Sequence, residues 1–285
     1  MVNKKYIPLT ILILANLCLG ISGIFPKLIE LSAQSIILGR SIVALICFLP
    51  LIIISKASLR VKKTDRVRVF FISILMAGHW VFFYQSVKLS TVSIGAILIY
   101  SYPLITAFIE PLWSKQKIKW SDYFFGLIII LSLTIMSGQT LDQGNIKWGI
   151  IYGLISACCL AFRNVLIKDI NETNNSVSLM FFQNLATFLI LVPFASIGFA
   201  EASNIDIYLI ILVGISSSFI GHTLFVKSLE YYSATSVGIV SSFQVIYAAF
   251  IAWVLLNEEI TWRIFAGGAL IIYVVIHHMI LKNKK

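Results

Sequence analysis

Long apolar runs, each separated from the next by a short polar segment, occupy nearly the whole chain. Within a run the apolar residues are continuous, which predicts helices and not barrel strands, whose polar and apolar residues alternate with a period of two. A helix of about 20 apolar residues spans the hydrocarbon core of a bilayer. The predicted spans are ten in number: Ile7–Phe25, Ser35–Ile54, Val67–Val87, Val92–Trp113, Tyr123–Met136, Trp148–Ile167, Val177–Phe199, Ile207–Phe225, Ser236–Leu256 and Ile264–Leu281.

The composition shows that little of the chain is left outside these spans. Of 285 residues, 59% are apolar and 12% are charged, and the mean hydropathy is +0.94. Soluble domains carry about 25% charged residues, so a water-soluble fold and a sizeable extramembrane domain are both excluded. The four cysteines lie within the apolar runs, where we expect buried small hydrophobic residues and no metal site or cofactor: Cys18, Cys47, Cys158 and Cys159.

The net charge of +10 arises mainly from loops and tails. With the N-terminus in the cytoplasm, most Lys and Arg residues fall on the cytoplasmic side, as the positive-inside rule requires. This holds only for an even number of spans, so both termini are predicted to be cytoplasmic and the protein to reside in the inner (plasma) membrane. No aromatic-interleaved basic surface is present, and a nucleic-acid partner is not predicted.

An internal repeat divides the spans into two groups of five. A shift of 143 residues places Gly78-His79 on Gly221-His222 and Pro50 on Pro193. A shift of 141 residues near the start places Lys27 on Lys168. Because five is odd, the two repeats are predicted to be inverted, at residues 1–140 and 147–285. Inverted repeats are typical of secondary transporters, whose substrate site lies near the midplane of the bilayer.

Three motifs support this interpretation. They are Gly39-Arg40, the small-residue stretch from Ser93 to the Tyr102-Pro103 pair, and Leu256-Asn257-Glu258-Glu259-Ile260-Thr261 followed by Gly267-Gly268. In this order the motifs resemble the EamA-like permeases of the drug/metabolite transporter superfamily. The resemblance implies ten helices and carrier activity toward amino acids, nucleotide-related metabolites or drugs, often as export.

Ionisable residues within spans are the first candidates for a binding site, because each costs free energy on insertion. Arg40 and Arg163 could each hold a carboxylate or phosphate through the guanidinium fork, or bind neighbouring helices. His79 and His222 occupy matching positions and could couple transport to a proton, or could be neutral hydrogen-bonding groups. Glu110 is a further proton-coupling candidate, with an ion pair as the alternative.

Aromatic and amide side chains complete the candidate site. Trp80, Tyr84, Tyr100 and Tyr102 could line a cavity that stacks on planar groups, or could pack helices together. Gln183 and Gln244 could bind substrate or join helices by hydrogen bonds. Asn16 belongs to the same class of polar residue within a span.

These observations predict a secondary active transporter that exports a small anionic or zwitterionic metabolite, such as an amino acid, by alternating access. Efflux of cationic drug-like compounds and uptake of a nucleotide-related metabolite remain alternatives within transport. A subunit of a membrane complex is the alternative outside it. The chain contains neither a P-loop nor an HExxH motif, so no enzyme is predicted. The predicted partners are a small-molecule substrate and the bilayer, with proton coupling and a homodimer left open.

Overall fold

Each of the ten predicted spans contains helix. The computed structural model describes residues 7–55, 59, 61–114, 120–137, 146–171, 174–195, 199, 201–256 and 262–283, so the motif residues 257–261 lie outside the described part. The helices of the first half are α1 (Ile7–Gly20), α2 (Phe25–Leu28), α3 (Ala33–Ser55), α4 (Arg66–Leu89), α5 (Val92–Ile99), α6 (Tyr102–Ser114) and α7 (Trp120–Ser137). Those of the second half are α8 (Ile146–Asn171), α9 (Ser176–Ala195), α10 (Asn204–Val213), α11 (His222–Ser228), α12 (Ala234–Ser241), α13 (Gln244–Leu256) and α14 (Trp262–Asn283).

The span lengths agree with an all-α membrane protein. Seven helical segments in the described ranges are long and apolar enough to cross a bilayer. Trp120–Ser132 and Phe265–Val274 are shorter apolar helices in the fifth and tenth spans. The fourth span is formed by α5 and α6 together. Large apolar side chains face outward, as Ile54 does at 81% exposure, which suits a surface in contact with lipid.

Two spans are broken into half-helices at matching places. Tyr100 and Ser101 separate α5 from α6, and Ser242 and Phe243 separate α12 from α13. All four boundaries of the first pair map onto those of the second with a shift of 142 residues. The side chains of Thr91 and Ser233 cap the two N-termini by accepting a hydrogen bond from a backbone N–H three residues later. The structural register here is therefore one residue shorter than the shift of 143 that aligns His79 with His222.

Hydrogen bonds between spans repeat as well. Lys27 Nζ donates to the carbonyl oxygen of Lys88 at 3.4 Å, and Lys168 Nζ donates to that of Leu229 at 2.6 Å. Both pairs are separated by 61 residues. The halves also exchange equivalent contacts, because α4 packs on α8 while α1 packs on α11. The predicted fold class of two inverted five-helix repeats is thus confirmed, and the division at residues 140 and 147 stays a prediction.

The eighth span of the chain, in the second half, differs in structure from the matching third span in the first half. Residues Gly214–Gly221 form a π-helix between α10 and α11, whereas the corresponding α4 is one continuous α-helix. A π-helical turn holds an extra residue and is frequent at functional sites.

The expectation of buried cysteines was wrong at Cys158, which is exposed, while Cys18, Cys47 and Cys159 are half-buried; all four are free thiols.

Candidate functional site

A central cavity lies where the two halves meet. Its volume is about 80 Å³, and helices from both repeats line it. Seven of the predicted site residues are in its wall: Arg40, His79, Trp80, Tyr100, Tyr102, His222 and Gln244. Two half-helices also begin at this cavity, since Tyr102 is the first residue of α6 and Gln244 the first of α13. The sequence interpretation therefore identified a group of residues that the fold does bring together.

Arg40 is the most heavily bonded of these residues. Its Nε donates to Ser218 Oγ at 2.6 Å and its Nη2 to Ser217 Oγ at 2.8 Å. Its Nη1 donates to the Tyr84 hydroxyl at 3.0 Å and to Ser22 Oγ at 3.4 Å. A guanidinium has five N–H donors, so one of them has no hydrogen-bond partner among the described residues. The guanidinium carbon also lies 5.0 Å from the ring centroid of Trp80.

The charge of Arg40 is buried, and no carboxylate in the described part of the chain bonds to it. The side chain is only 1% exposed, and all four hydrogen-bond partners among the described residues are neutral hydroxyls. A buried cation is costly unless an anion compensates it. The site is therefore electropositive and suited to a negatively charged ligand.

Two adjacent serines within the π-helix bind the same guanidinium. Ser217 and Ser218, in the segment Gly214–Gly221 of the eighth span, both accept a hydrogen bond from Arg40. Both serines are fully buried. Sequence reasoning missed Ser22, Ser217 and Ser218, although the run of three serines from residue 216 inside an apolar span was an available signal.

Hydrogen bonds assign different tautomers to the two histidines. Ser156 Oγ donates its proton to the His79 carbonyl oxygen at 2.9 Å, so it accepts from His79 Nδ1, also at 2.9 Å. His79 Nε2 is then an acceptor. Trp80 Nε1 donates to His222 Nε2 at 2.9 Å, so the neutral His222 carries its proton on Nδ1. That Nδ1 is buried and has no hydrogen-bond partner within the described part of the chain.

The two histidines, which both line the cavity, differ in the groups that their bonds leave over. Neutral His79 has a lone pair on Nε2, and neutral His222 has an N–H donor on Nδ1. Both side chains are more than nine-tenths buried. A buried donor without a partner costs about 1–3 kcal/mol, so a ligand oxygen at His222 Nδ1 would recover that free energy.

A network of side-chain hydrogen bonds begins at two further residues of the cavity wall, Tyr100 and Gln244. Tyr100 donates its hydroxyl proton to Gln244 Oε1 at 2.6 Å. Gln244 Nε2 donates to Asn16 Oδ1 at 2.6 Å, and Ser241 Oγ donates to the same oxygen at 2.8 Å. Tyr247 adds a hydrogen bond to the backbone carbonyl of Asn16. The network ties the breakpoints of both broken spans to the first span.

Arg163 and Gln183 lie together, but not in the cavity wall. Arg163 is fully buried and donates from Nε to Gln183 Oε1 at 3.0 Å and from Nη1 to Asn164 Oδ1 at 2.9 Å. The register that pairs Lys27 with Lys168 also pairs Ser22 with Arg163, and Arg40 pairs with Gln183. The contact between Arg163 and Gln183 is therefore the repeat counterpart of that between Ser22 and Arg40.

Glu110 caps a helix and does not line the cavity. One of its carboxylate oxygens accepts from the backbone N–H of Ala234 at 2.8 Å. The other accepts from the N–H of Thr235 at 2.8 Å and from its hydroxyl at 2.5 Å. A carboxylate at a helix N-terminus satisfies free N–H groups and complements the helix dipole. Its predicted alternative of an ion pair with a neighbouring lysine falls on residues outside the described part.

Ten spans in two inverted halves, with a cavity between them whose wall includes the charged Arg40, are typical of a multi-pass membrane transporter of small molecules. The chain belongs to the EamA-like transporter family, whose model matches residues 7–138 and 147–277. This confirms the resemblance seen in the sequence. The two matched segments correspond to the two structural halves.

Individual relatives share only a minor fraction of their residues with this chain. An uncharacterized transporter of Helicobacter pylori strain J99 is 26% identical over 227 residues, which cover 76% of each chain. An S-adenosylmethionine uptake transporter of Rickettsia prowazekii is 20% identical over 170 residues, covering 60% of this chain and 57% of that protein. A protein of known crystal structure matches 96% of both chains with a TM-score of 0.74 at 14% identity, a likeness that shows the fold alone.

Proposed function

We propose that this transporter carries a small anionic or zwitterionic metabolite, such as an amino acid, through the central cavity by alternating access. The observation that carries the proposal is the buried, unneutralised guanidinium of Arg40 in the cavity wall. A ligand carboxylate would supply the missing anion and accept from the remaining Arg40 donor. The free donor on His222 Nδ1 would bind the same ligand.

The broken spans support both the ligand class and the mechanism. Transporters with inverted repeats place half-helix N-termini toward anionic groups of the substrate. Here α6 and α13 begin at the cavity with Tyr102 and Gln244. Rocking of one half against the other, with bending at these two breaks, would open the cavity to each side in turn.

Proton coupling is proposed for the histidine pair. A proton added to His79 Nε2 would place a second cation beside Arg40, which disfavours protonation in the empty cavity. A bound carboxylate would reverse this balance, so that substrate and proton bind together. Residence in the plasma membrane and cytoplasmic termini are proposed on the positive-inside distribution of charge. Export is proposed on the resemblance to the EamA-like permeases alone.

One alternative has a specific observation in its favour. The Rickettsia relative is named for uptake of S-adenosylmethionine, which contains both an amino-acid carboxylate and an adenine ring. The aromatic cavity residues Tyr100 and Tyr102 could stack on such a ring. Uptake of a nucleotide-related metabolite is therefore the second candidate function.

Transport by the purified chain in liposomes tests the proposal. The panel contains amino acids, S-adenosylmethionine and an organic cation, each with and without a pH gradient. We expect saturable flux of a carboxylate-bearing compound that Arg40→Gln abolishes. Arg68→Gln, which removes an exposed arginine paired with Asp169, is the matched control and should leave the flux unchanged. Flux of the organic cation alone would contradict the proposal.

A further inference from the structure

A second cavity lies on the outside of the helical bundle, between the first half of α4 and the middle of α9. Its volume is about 910 Å³. Residues at matching helical spacing form its two walls. They are Arg66, Val69, Phe70 and Ser73 on α4, and Phe182, Leu185, Ala186 and Leu189 on α9. Residues three, four and seven positions apart share one face of a helix, so the groove runs along both helices.

Beyond Arg66 the side chains that line the groove are apolar except for Ser73. Phe70 and Leu189 are 59% and 62% exposed, on a surface that faces lipid. Among the described residues of the wall, the one hydroxyl is that of Ser73, which is buried and donates to the Val69 carbonyl oxygen at 2.7 Å. The groove therefore offers no polar partner between the two helices and suits a hydrocarbon chain.

One end of the groove is positively charged. Lys62, Lys63 and Arg66 line it and are exposed, and neither ion pair found among the described residues includes any of them. The intervening Asp65 is turned inward at 8% exposure, where its carboxylate accepts from Asn174 Nδ2 at 2.8 Å. Three cations are thus concentrated at the mouth of an apolar groove.

The position of this charge fits the edge of a bilayer. Arg66 is the first residue of α4, and α9 begins at Ser176, beside the same loop, since Asn174 contacts Asp65 and the backbone N–H of Lys62. Both helices therefore leave the basic segment in the same direction and enter the hydrocarbon together. Basic pockets between transmembrane helices at this depth bind anionic lipid headgroups.

We propose that this groove binds one anionic phospholipid, with the headgroup phosphate at Lys62, Lys63 and Arg66 and an acyl chain between α4 and α9. The planar fork of Arg66 suits two phosphate oxygens, and the lysines supply flexible point charges. A free anion would use the basic mouth but not the apolar walls. The combination of the two selects a lipid.

Native mass spectrometry of the purified full-length chain, with phosphatidylglycerol or phosphatidylcholine added, tests the proposal. We expect one phosphatidylglycerol to remain bound under conditions that release phosphatidylcholine. The triple variant Lys62→Gln, Lys63→Gln, Arg66→Gln should lower this affinity roughly a hundredfold, since each cation near an anionic lipid contributes about a fivefold factor. The control with Arg68→Gln, Lys147→Gln and Arg263→Gln removes equal charge elsewhere and should retain the lipid.

A steric variant separates lipid from free phosphate. Ala186→Trp fills the groove between the helices and leaves the cations in place, so it should also release phosphatidylglycerol. Inorganic phosphate added to the wild type should not displace the lipid. Equal binding of the two lipids, retention of phosphatidylglycerol by the triple variant, or its displacement by phosphate would each overturn the proposal. The triple variant alters exposed residues only, so it remains informative if Ala186→Trp does not fold.

Discussion

Arg40 provides the sharpest prediction, because its replacement should change which ligands bind and not merely how well the protein folds. In Arg40→Gln the cavity loses its cation and the one guanidinium donor left for a ligand. A hydrogen bond to a charged group contributes about 1.5–3 kcal/mol. A loss of about 2 kcal/mol corresponds to a roughly thirtyfold weaker affinity for a carboxylate ligand.

The assay compares a carboxylate ligand with its amide, using equilibrium binding to detergent-purified protein. The wild type should prefer the acid, whereas Arg40→Gln should bind acid and amide with nearly equal affinity. Arg40→Lys keeps the charge but loses the fork that joins Ser217, Ser218 and Tyr84, so an intermediate preference is expected.

Two comparators distinguish ligand binding from general damage. Arg163→Gln also removes a fully buried arginine, but one outside the cavity wall, and it should retain the preference for the acid. Arg68→Gln removes an exposed arginine and should behave as the wild type. An unchanged acid-to-amide ratio in Arg40→Gln would refute the assignment of Arg40 to the ligand.

Three further predictions concern the histidines, the helix cap and the helix packing. His79→Ala and His222→Ala should each reduce the stimulation of liposome flux by a pH gradient, and flux that keeps its full pH response in both variants would exclude the pair as the coupling groups. Glu110→Ala should lower the free energy of unfolding by about 1–3 kcal/mol in thermal melts, because two helix N–H groups lose their acceptor, while an unchanged melt would show that the cap is dispensable. Gly153→Ala should sharply lower the yield of folded protein, since its added Cβ would lie 2.6 Å from Leu98 Cβ. Gly23→Ala is the control and should not lower the yield, because the nearest atom to its added Cβ is 3.9 Å away. Equal yields of the two variants would contradict this packing.

The spans were predictable from the sequence because an apolar run long enough to cross a bilayer is a local property. The breaks inside them were only partly predictable. Pro103, the second residue of α6, is a local signal for the break at Tyr100-Ser101, because proline ends or kinks a helix. The break at Ser242-Phe243 lacks this signal, since the matching residue is Val245. The π-helix at Gly214–Gly221, which packs against α3 and α1, is also not indicated by any periodicity of the sequence.

The candidate site was partly predictable for a related reason. A charged or polar group within a span requires a partner, so Arg40, His79 and His222 could be selected by residue type alone. Their partners could not, since Ser217 and Ser218 lie 177 and 178 residues from Arg40. The contact of Ser22 with Arg40 corresponds in the repeat to the contact of Arg163 with Gln183. This correspondence was hidden in the sequence because the two arginines are not at matching positions: one is in the second span, and the other is in the sixth.

Glu110 shows the limit of selection by residue type. Its carboxylate within a span indicated a proton site, and the structure shows that it satisfies the N-terminus of α12. A helix N-terminus is a backbone feature, and its approach to α6 depends on the packing of both halves. The structural role of Glu110 is therefore visible, whereas its proposed role in proton coupling stays a prediction.

Solute counterflow tests the central claim most directly. Liposomes containing the purified chain are loaded with an excess of unlabelled carboxylate ligand, and a trace of labelled ligand is added outside. A carrier with one site exposed alternately to each side should concentrate the label transiently above its external level, and Arg40→Gln should lose this overshoot. Label that only rises to equilibrium, or an overshoot unaffected by Arg40→Gln, would contradict the account.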